Sequence, residues 1–173
     1  MAERTYNVLF ICTGNSARSI MAEALLNHWG KGRLRGFSAG TAPRGEVHPL
    51  TVKLLRSLDL ATPEGMRSKS WDEFARADAP RMDFVFMVCD QAAAAPRPNW
   101  PGNPVTAHWG IPDPAAVTGS EEAQWAAFRR AFWELETRVK LFASLPIVGL
   151  DRLTLQHRLA DIGVSAAQPT EAS

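Results

Sequence analysis

Four short apolar runs, separated by longer amphipathic stretches, organise the chain. Val8-Leu9-Phe10-Ile11 and Phe84-Val85-Phe86-Met87-Val88 are continuous and too short for helices, so they predict buried strands over 8–11 and 84–88. Phe37-Ser38-Ala39-Gly40 predicts a third strand over 37–40, and Val105 opens a fourth over 105–109. Between them the period changes to that of a helix. A helix is predicted over 19–29, stopped by Gly30, and another over 48–58 from the spacing of Leu50, Leu54, Leu55 and Leu58. Ser70 reads as the N-cap of a short helix with Asp72 and Glu73 in its first turn. Pro96, Pro98, Pro101 and Pro104 predict a loop over 91–104.

Trp125, Phe128, Phe132, Leu135, Val139 and Phe142 recur at steps of three and four, which predicts the longest helix over 120–145 with a core-facing stripe. Pro146 ends it. A weaker amphipathic helix, carried by Leu153, Leu159 and Ile162, runs to Gly163, and 164–173 read as a disordered tail. Strands alternating with helices predict an α/β fold: a single-domain, doubly wound, four-stranded parallel sheet with helices on both faces. Residues 1–145 are expected to form the catalytic unit and 146–173 a C-terminal helical extension and tail. Such sheets bind ligands beyond the carboxyl ends of their strands, where both Cys12 and Cys89 fall.

The whole-chain numbers narrow the function by exclusion. In 173 residues, 46% hydrophobic and 21% charged, the composition is that of an ordinary globular domain with a real core. A net charge of +1 makes no electrostatic case for nucleic acid or an anionic membrane as partner. The polar N-terminus and the short apolar run behind it offer neither a signal peptide nor a membrane span. Two cysteines in a chain this large are no disulfide scaffold, so a cytoplasmic, reducing setting is expected, as is a monomer. His28, His48, His108 and His157 have no metal-ligand spacing, and no metal site is expected; His108, beside Trp109, is the one closest to candidate chemistry.

That chemistry begins at Cys12-Thr13-Gly14-Asn15-Ser16-Ala17-Arg18-Ser19, placed where a strand ends and a helix begins. The backbone N–H groups of such a loop and first helical turn form an anion cradle, whose field favours the nucleophilic thiolate of Cys12. Arg18 can grip two oxygens of a bound anion with its planar fork. Ser19 is expected to hydrogen-bond the sulfur and to cap the helix. Gly14 and Asn15 tolerate left-handed backbone and would shape the cradle. Glu23 either reaches back to the loop or belongs to a solvated face. Cys89 has two readings: a small buried hydrophobe at a strand end, or a second thiol that attacks an adduct on Cys12. Asp113, held between Pro112 and Pro114, is either an Asp-Pro turn or a general acid for a leaving oxygen.

Taken together, the octapeptide with Met21-Ala22-Glu23, Ser38-Ala39-Gly40, Phe86-Met87-Val88-Cys89-Asp90, His108-Trp109-Gly110 and Asp113-Pro114-Ala115 resembles the arsenate reductases built on the low-molecular-weight protein tyrosine phosphatase fold. The resemblance covers about 6–145. It implies that Cys12 attacks arsenate, with phosphate and sulfate as analogues. Arg18 and the backbone of Thr13, Gly14, Asn15, Ser16 and Ala17 would hold the oxygens while Asp113 protonates the departing one. Cys89, or an external thiol, then resolves the adduct and releases arsenite. No bound cofactor is implied, only a reducing thiol system, either glutathione with glutaredoxin or thioredoxin. The alternative is a phosphatase that hydrolyses phosphomonoesters through a phosphocysteine.

The sequence also departs from these patterns. The relay cysteine common in thioredoxin-recycled members is absent, and Arg97 stands near its place. Trp71 occupies the position where some members carry an acidic potassium ligand, so that site is not carried over. Ile20 replaces the proline usual in the phosphatases of this fold, and Ala115, Ala116 and Val117 replace their tyrosines.

Overall fold

Strand β1 (Tyr6–Cys12) pairs in parallel with β2 (Leu34–Gly40) on one side and β3 (Phe84–Met87) on the other, and β4 (Val105–His108) joins β3, giving the order β2-β1-β3-β4. This computed structural model describes residues 4–60, 66–96 and 98–167. The two continuous apolar runs take the central places, β1 and β3, because only there are both faces and both edges covered, and Val8, Leu9, Phe10 and Ile11 are fully buried. The connecting helices are α1 (Arg18–Trp29), α2 (Pro49–Ser57), α3 (Asp90–Ala94), α4 (Glu121–Ala143) and α5 (Arg152–Ala167).

On one face Phe10, Phe84 and Phe86 meet Trp109 and the α4 residue Phe142. Trp109 stacks on Phe86 at 4.2 Å between ring centroids, and Phe142 stands edge-on to Phe84 and Phe86 at 5.2 and 5.1 Å. Alternation turns Leu9, Ile11, Val85 and Met87 to the other face. A 3-10 turn (Trp71–Phe74) covers that side, with Phe74 edge-on to Phe37 and Trp71 edge-on to Trp100. Ser70 caps this turn, its hydroxyl accepting from the Asp72 N–H. The predicted four-stranded parallel sheet with helices on both faces is the observed one.

Differences from the sequence reading have local causes. β2 starts at Leu34, earlier than the apolar pattern implies, because Gly36 passes tightly under α1; a Cβ there would lie 3.0 Å from the Glu23 carbonyl oxygen. Residues 91–104 are not all loop. The prolines begin only at Pro96, and Cys89 caps α3 ahead of them by accepting from the Ala92 N–H. Helix α1 begins at Arg18 with Ala17 as its N-cap and no side-chain cap bond, so Ser19 lies inside the helix and does not cap it. Helix α5 continues past Gly163 to Ala167, so 164–167 are helical; the remainder of the expected tail and Arg97 lie outside the described residues. Among the described residues no helix is long and apolar enough to cross a membrane.

Candidate active site

The loop between β1 and α1 is held from behind. The carbonyls of Cys12, Thr13, Gly14 and Ser16 accept hydrogen bonds from the N–H groups of Thr41, Ala42, Arg44 and His48, at 3.1, 2.9, 3.0 and 2.9 Å. In a trans peptide the N–H of the next residue points opposite to the carbonyl. Four carbonyls bound outward therefore aim the N–H groups of Thr13, Gly14, Asn15 and Ala17 inward. The Asn15 N–H lies 3.3 Å from the Cys12 sulfur. Helix α1 adds its own first N–H groups, left without a side-chain cap. An uncapped helix start facing a hollow is an anion site in waiting.

Two residues make the sharp turn possible. Asn15 is fully buried with φ +47°, in the left-handed region. Its amide is engaged at both ends, donating to Ser19 Oγ (2.8 Å) and accepting from the Lys69 N–H (2.8 Å). Gly40 ends β2 where a Cβ would meet the Thr13 carbonyl oxygen at 2.5 Å. Ser19 Oγ, oriented by Asn15, sits 2.9 Å from Cys12 Sγ. The sulfur thus has a hydroxyl and a backbone N–H directed at it.

The hollow is a cavity of about 150 Å³ bounded by Cys12, Thr13, Gly14, Ser16, Ala17, Arg18, Arg44, Gln91 and Asp113. That is well below the several hundred Å³ of pockets for drug-sized ligands, and it suits a small tetrahedral ion. Arg18 bridges to the far wall: Nη1 donates to the Ile111 carbonyl (3.0 Å) and Nη2 lies 3.6 Å from Asp113 Oδ2. Asp113 makes the Asp-Pro turn and also lines the cavity. Its Oδ1 accepts from the Ala115 N–H and caps the 3-10 turn Pro114–Ala116, while Oδ2 faces Arg18 across the cavity. Cys89 follows β3 beside the loop. It is buried, yet its sulfur lies 3.4 Å from Thr13 Oγ1 and lines a larger cleft that shares Arg18, Gln91 and Asp113 with the cavity. Cys12, Arg18 and Asp113 therefore line one cavity, with Ser19 buried behind the Cys12 sulfur and Cys89 in the adjoining cleft, although they come from three separate parts of the chain.

Sequence reasoning missed the residues that hold this loop. Arg44 brings a second cation to the cavity wall, and Ser68 Oγ donates to the Gly14 carbonyl. His48 caps α2, its Nδ1 accepting from the Leu50 N–H, while its own N–H holds Ser16. Burial, and then the Arg44 charge, pull the His48 pKa down, with Asp113 opposing. Glu23 takes neither predicted course; it accepts from Ser38 Oγ beneath the loop. Burial pushes the Glu23 carboxyl up, against the Ser38 hydrogen bond and the Lys69 charge. The Lys69 ammonium lies 3.4 Å from Ser38 Oγ, a tethered cation beside Glu23, and burial lowers its pKa. Arg44, His48, Ser68 and Lys69 stand in none of the motifs; contacts distant in sequence recruit them. His108 pairs with Asp90, next to Cys89, at 3.0 Å.

Comparison with known proteins agrees with this geometry. The arsenate reductase of Halalkalibacterium halodurans is 36% identical over 140 residues, covering 79% of this chain and 94% of that protein. The crystal structure of an arsenate reductase from Archaeoglobus fulgidus superposes with a TM-score of 0.64 at 29% identity, covering 80% of this chain and 99% of that one. A low molecular weight protein tyrosine phosphatase from T. tengcongensis shares the fold, with a TM-score of 0.64 at 22% identity, covering 82% of this chain and 100% of that one. Residues 7–147 match the family described as low molecular weight phosphotyrosine protein phosphatase, and the chain belongs to that family.

Proposed function

We propose that this protein is a thiol-dependent arsenate reductase whose chemistry resides in residues 1–145. Cys12 attacks arsenate held by the inward N–H groups of Thr13, Gly14, Asn15 and Ala17 and by Arg18. An arsenic–sulfur bond forms, and one arsenate oxygen leaves as water after protonation by Asp113. Cys89 then attacks the Cys12 sulfur. The new sulfur–sulfur bond displaces the arsenic–sulfur pair onto arsenic, so arsenic falls from the +5 to the +3 state and departs as arsenite. Two thiols supply both electrons. An external thiol system, glutathione with glutaredoxin or thioredoxin, restores the dithiol, and a cytoplasmic setting would provide it.

The observation that carries this reading is the second thiol. Cys89 lies 3.4 Å from Thr13 Oγ1 of the loop and lines the cleft that adjoins the cavity and shares Arg18 and Asp113 with it. A phosphatase requires only Cys12, Arg18 and Asp113, and that reading remains the alternative because the same cradle accepts phosphate esters. Against it as the main activity, Ala115, Ala116 and Val117 offer no ring face to a phenol, and the cavity is small.

The test is a free-thiol count on reduced protein before and after stoichiometric arsenate, with arsenite assayed in the same tube. Loss of both thiols with matching arsenite, abolished in Cys12→Ser and in Cys89→Ser, is expected. Two surviving thiols and no arsenite, even with added glutathione, would leave the phosphatase. Cys89→Ser is expected to spare slow phosphomonoester hydrolysis; loss of that too would make Cys89 a structural residue.

A further inference from the structure

The family match ends at residue 147, yet α5 (Arg152–Ala167) is built into the same core. Leu155, Leu159 and Ile162 are buried, and the helix touches β4 at both of its ends. At the start of β4 the Arg152 guanidinium donates to the carbonyls of Asn103 (3.0 Å) and Pro104 (3.1 Å). At its end the Leu159 carbonyl accepts from Trp109 Nε1 (3.0 Å). Gly163 comes so close that a Cβ would lie 2.9 Å from the His108 carbonyl oxygen and 3.0 Å from Trp109 Cδ1. Arg138, fully buried on α4, donates to the Gly163 carbonyl from the other side.

These contacts are in step with each other. From 152 to 163 the helix rises about 16 Å at roughly 1.5 Å per residue. From 104 to 109 the strand spans about 16 Å at roughly 3.3 Å per residue. The helix therefore runs parallel to β4 and grips it end to end. The acid loop begins directly after Trp109. Trp109 N–H donates to the Met87 carbonyl and Ile111 N–H to the Val88 carbonyl; the Ile111 carbonyl then holds Arg18, and Asp113 faces the same guanidinium.

We propose that α5 is a positioning element for the active site: a splint on β4 that, through Gly163 and the Trp109 indole, fixes the backbone presenting Asp113 to Arg18. The chemistry attributed to Asp113 rests on the function proposed above; the mechanical coupling does not. Core packing alone would need only the apolar stripe of α5. Beyond that stripe, Arg152 anchors the start of β4, and the Leu159 and Gly163 contacts fall on His108 and Trp109, the two residues immediately before the acid loop.

The test uses full-length protein with Gly163→Ala, and Trp109→Phe as a milder variant that keeps a ring on Phe86 but removes the N–H donor. Hydrogen exchange is followed in peptides covering the acid loop (110–116) and β3 (84–87), alongside arsenite formation. In either variant, acid-loop exchange is expected to accelerate roughly tenfold or more with β3 unchanged. Turnover is expected to fall about 10-fold to 100-fold, the scale of a small misplacement of a reacting group, but less than about twofold in an Asp113→Asn background, because coupled residues are non-additive. Equal acceleration in both peptides, equal losses in both backgrounds, or no change in either readout would overturn the proposal. Wild-type turnover in Asp113→Asn alone would refute the acid instead, and acid-loop exchange would then decide the role of α5 by itself.

Discussion

Replacing Asn15 tests how the oxyanion loop is built, because one buried side chain supports both its backbone and its sulfur. Asn15→Ala removes the amide bonds to Ser19 Oγ and from the Lys69 N–H, both 2.8 Å, and leaves the buried Ser19 hydroxyl without that donor and the half-buried Lys69 N–H without that acceptor. Each bond contributes about 1 kcal/mol net. Holding alanine at φ +47° adds about 1 kcal/mol, since left-handed backbone penalises a Cβ that asparagine partly offsets by local hydrogen bonding. The sum is about 3 kcal/mol, which for a chain of this size lowers the melting temperature by roughly 6–12 °C. Asn15→Gly separates the two causes. It loses the same bonds but accepts the backbone, and should be less destabilised than the alanine variant by roughly 1 kcal/mol. Chemical denaturation of the three proteins measures both differences. Thiol loss with arsenate, followed well below the lowered melting point, should slow in both variants because Ser19 is no longer aimed at Cys12. Wild-type stability in Asn15→Gly, or a loss under about 0.5 kcal/mol in Asn15→Ala, would refute the reasoning.

The site makes three other outcomes measurable. Arg18→Lys should reduce arsenite formation about 10²-fold to 10³-fold, because an ammonium cannot serve the Ile111 carbonyl and an oxyanion with the geometry of a planar fork; near-normal single-turnover rates would refute that grip. The depressed His48 pKa means that its stabilising share is complete above the unfolded value, about 6.5, and is lost as pH falls through the lower folded value. Urea midpoints of wild type and His48→Ala should therefore converge on acidification, and a constant gap would contradict the cap made by neutral Nδ1. The raised Glu23 pKa has the opposite sign: its contribution is present below the unfolded value and lost as pH rises through the folded one. Glu23→Gln should gain on wild type with rising pH, and thermal melts across that range showing no crossing trend would argue against a buried, costly carboxylate.

The octapeptide, the period-two and period-3.6 patterns and the Asp-Pro turn were legible because they are local. Apolar runs too short for helices must be strands, and Cys12 to Ser19 spans one strand–helix junction. Hence the sheet, its helices, and Cys12 with Arg18 could be placed from residue order alone. The short helix α3 was hidden by prolines that in fact begin after it, and Ser19, expected both to bond the sulfur and to cap the helix, lies against the sulfur but one residue inside the helix. Its hydroxyl is held by Asn15 against the sulfur, so the helix start stays open to an anion.

Everything that turns these pieces into a site is long-range. Outward bonds from residues 41–48 aim the loop N–H groups inward, and parallel pairing of β1 with β3 brings Cys89 beside Thr13. Helix α5 reaches Trp109 across 50 positions of sequence. Backbone N–H and C=O groups are the same in every residue, so no side-chain pattern encodes which of them will meet. The sequence alone determined the loop that carries Cys12 and Arg18 and the sheet that holds it. Only the tertiary structure decided which backbone groups face the cavity, that Cys89 lies in the adjoining cleft, and what packs against the strand leading to Asp113, because those meetings join residues far apart in the chain.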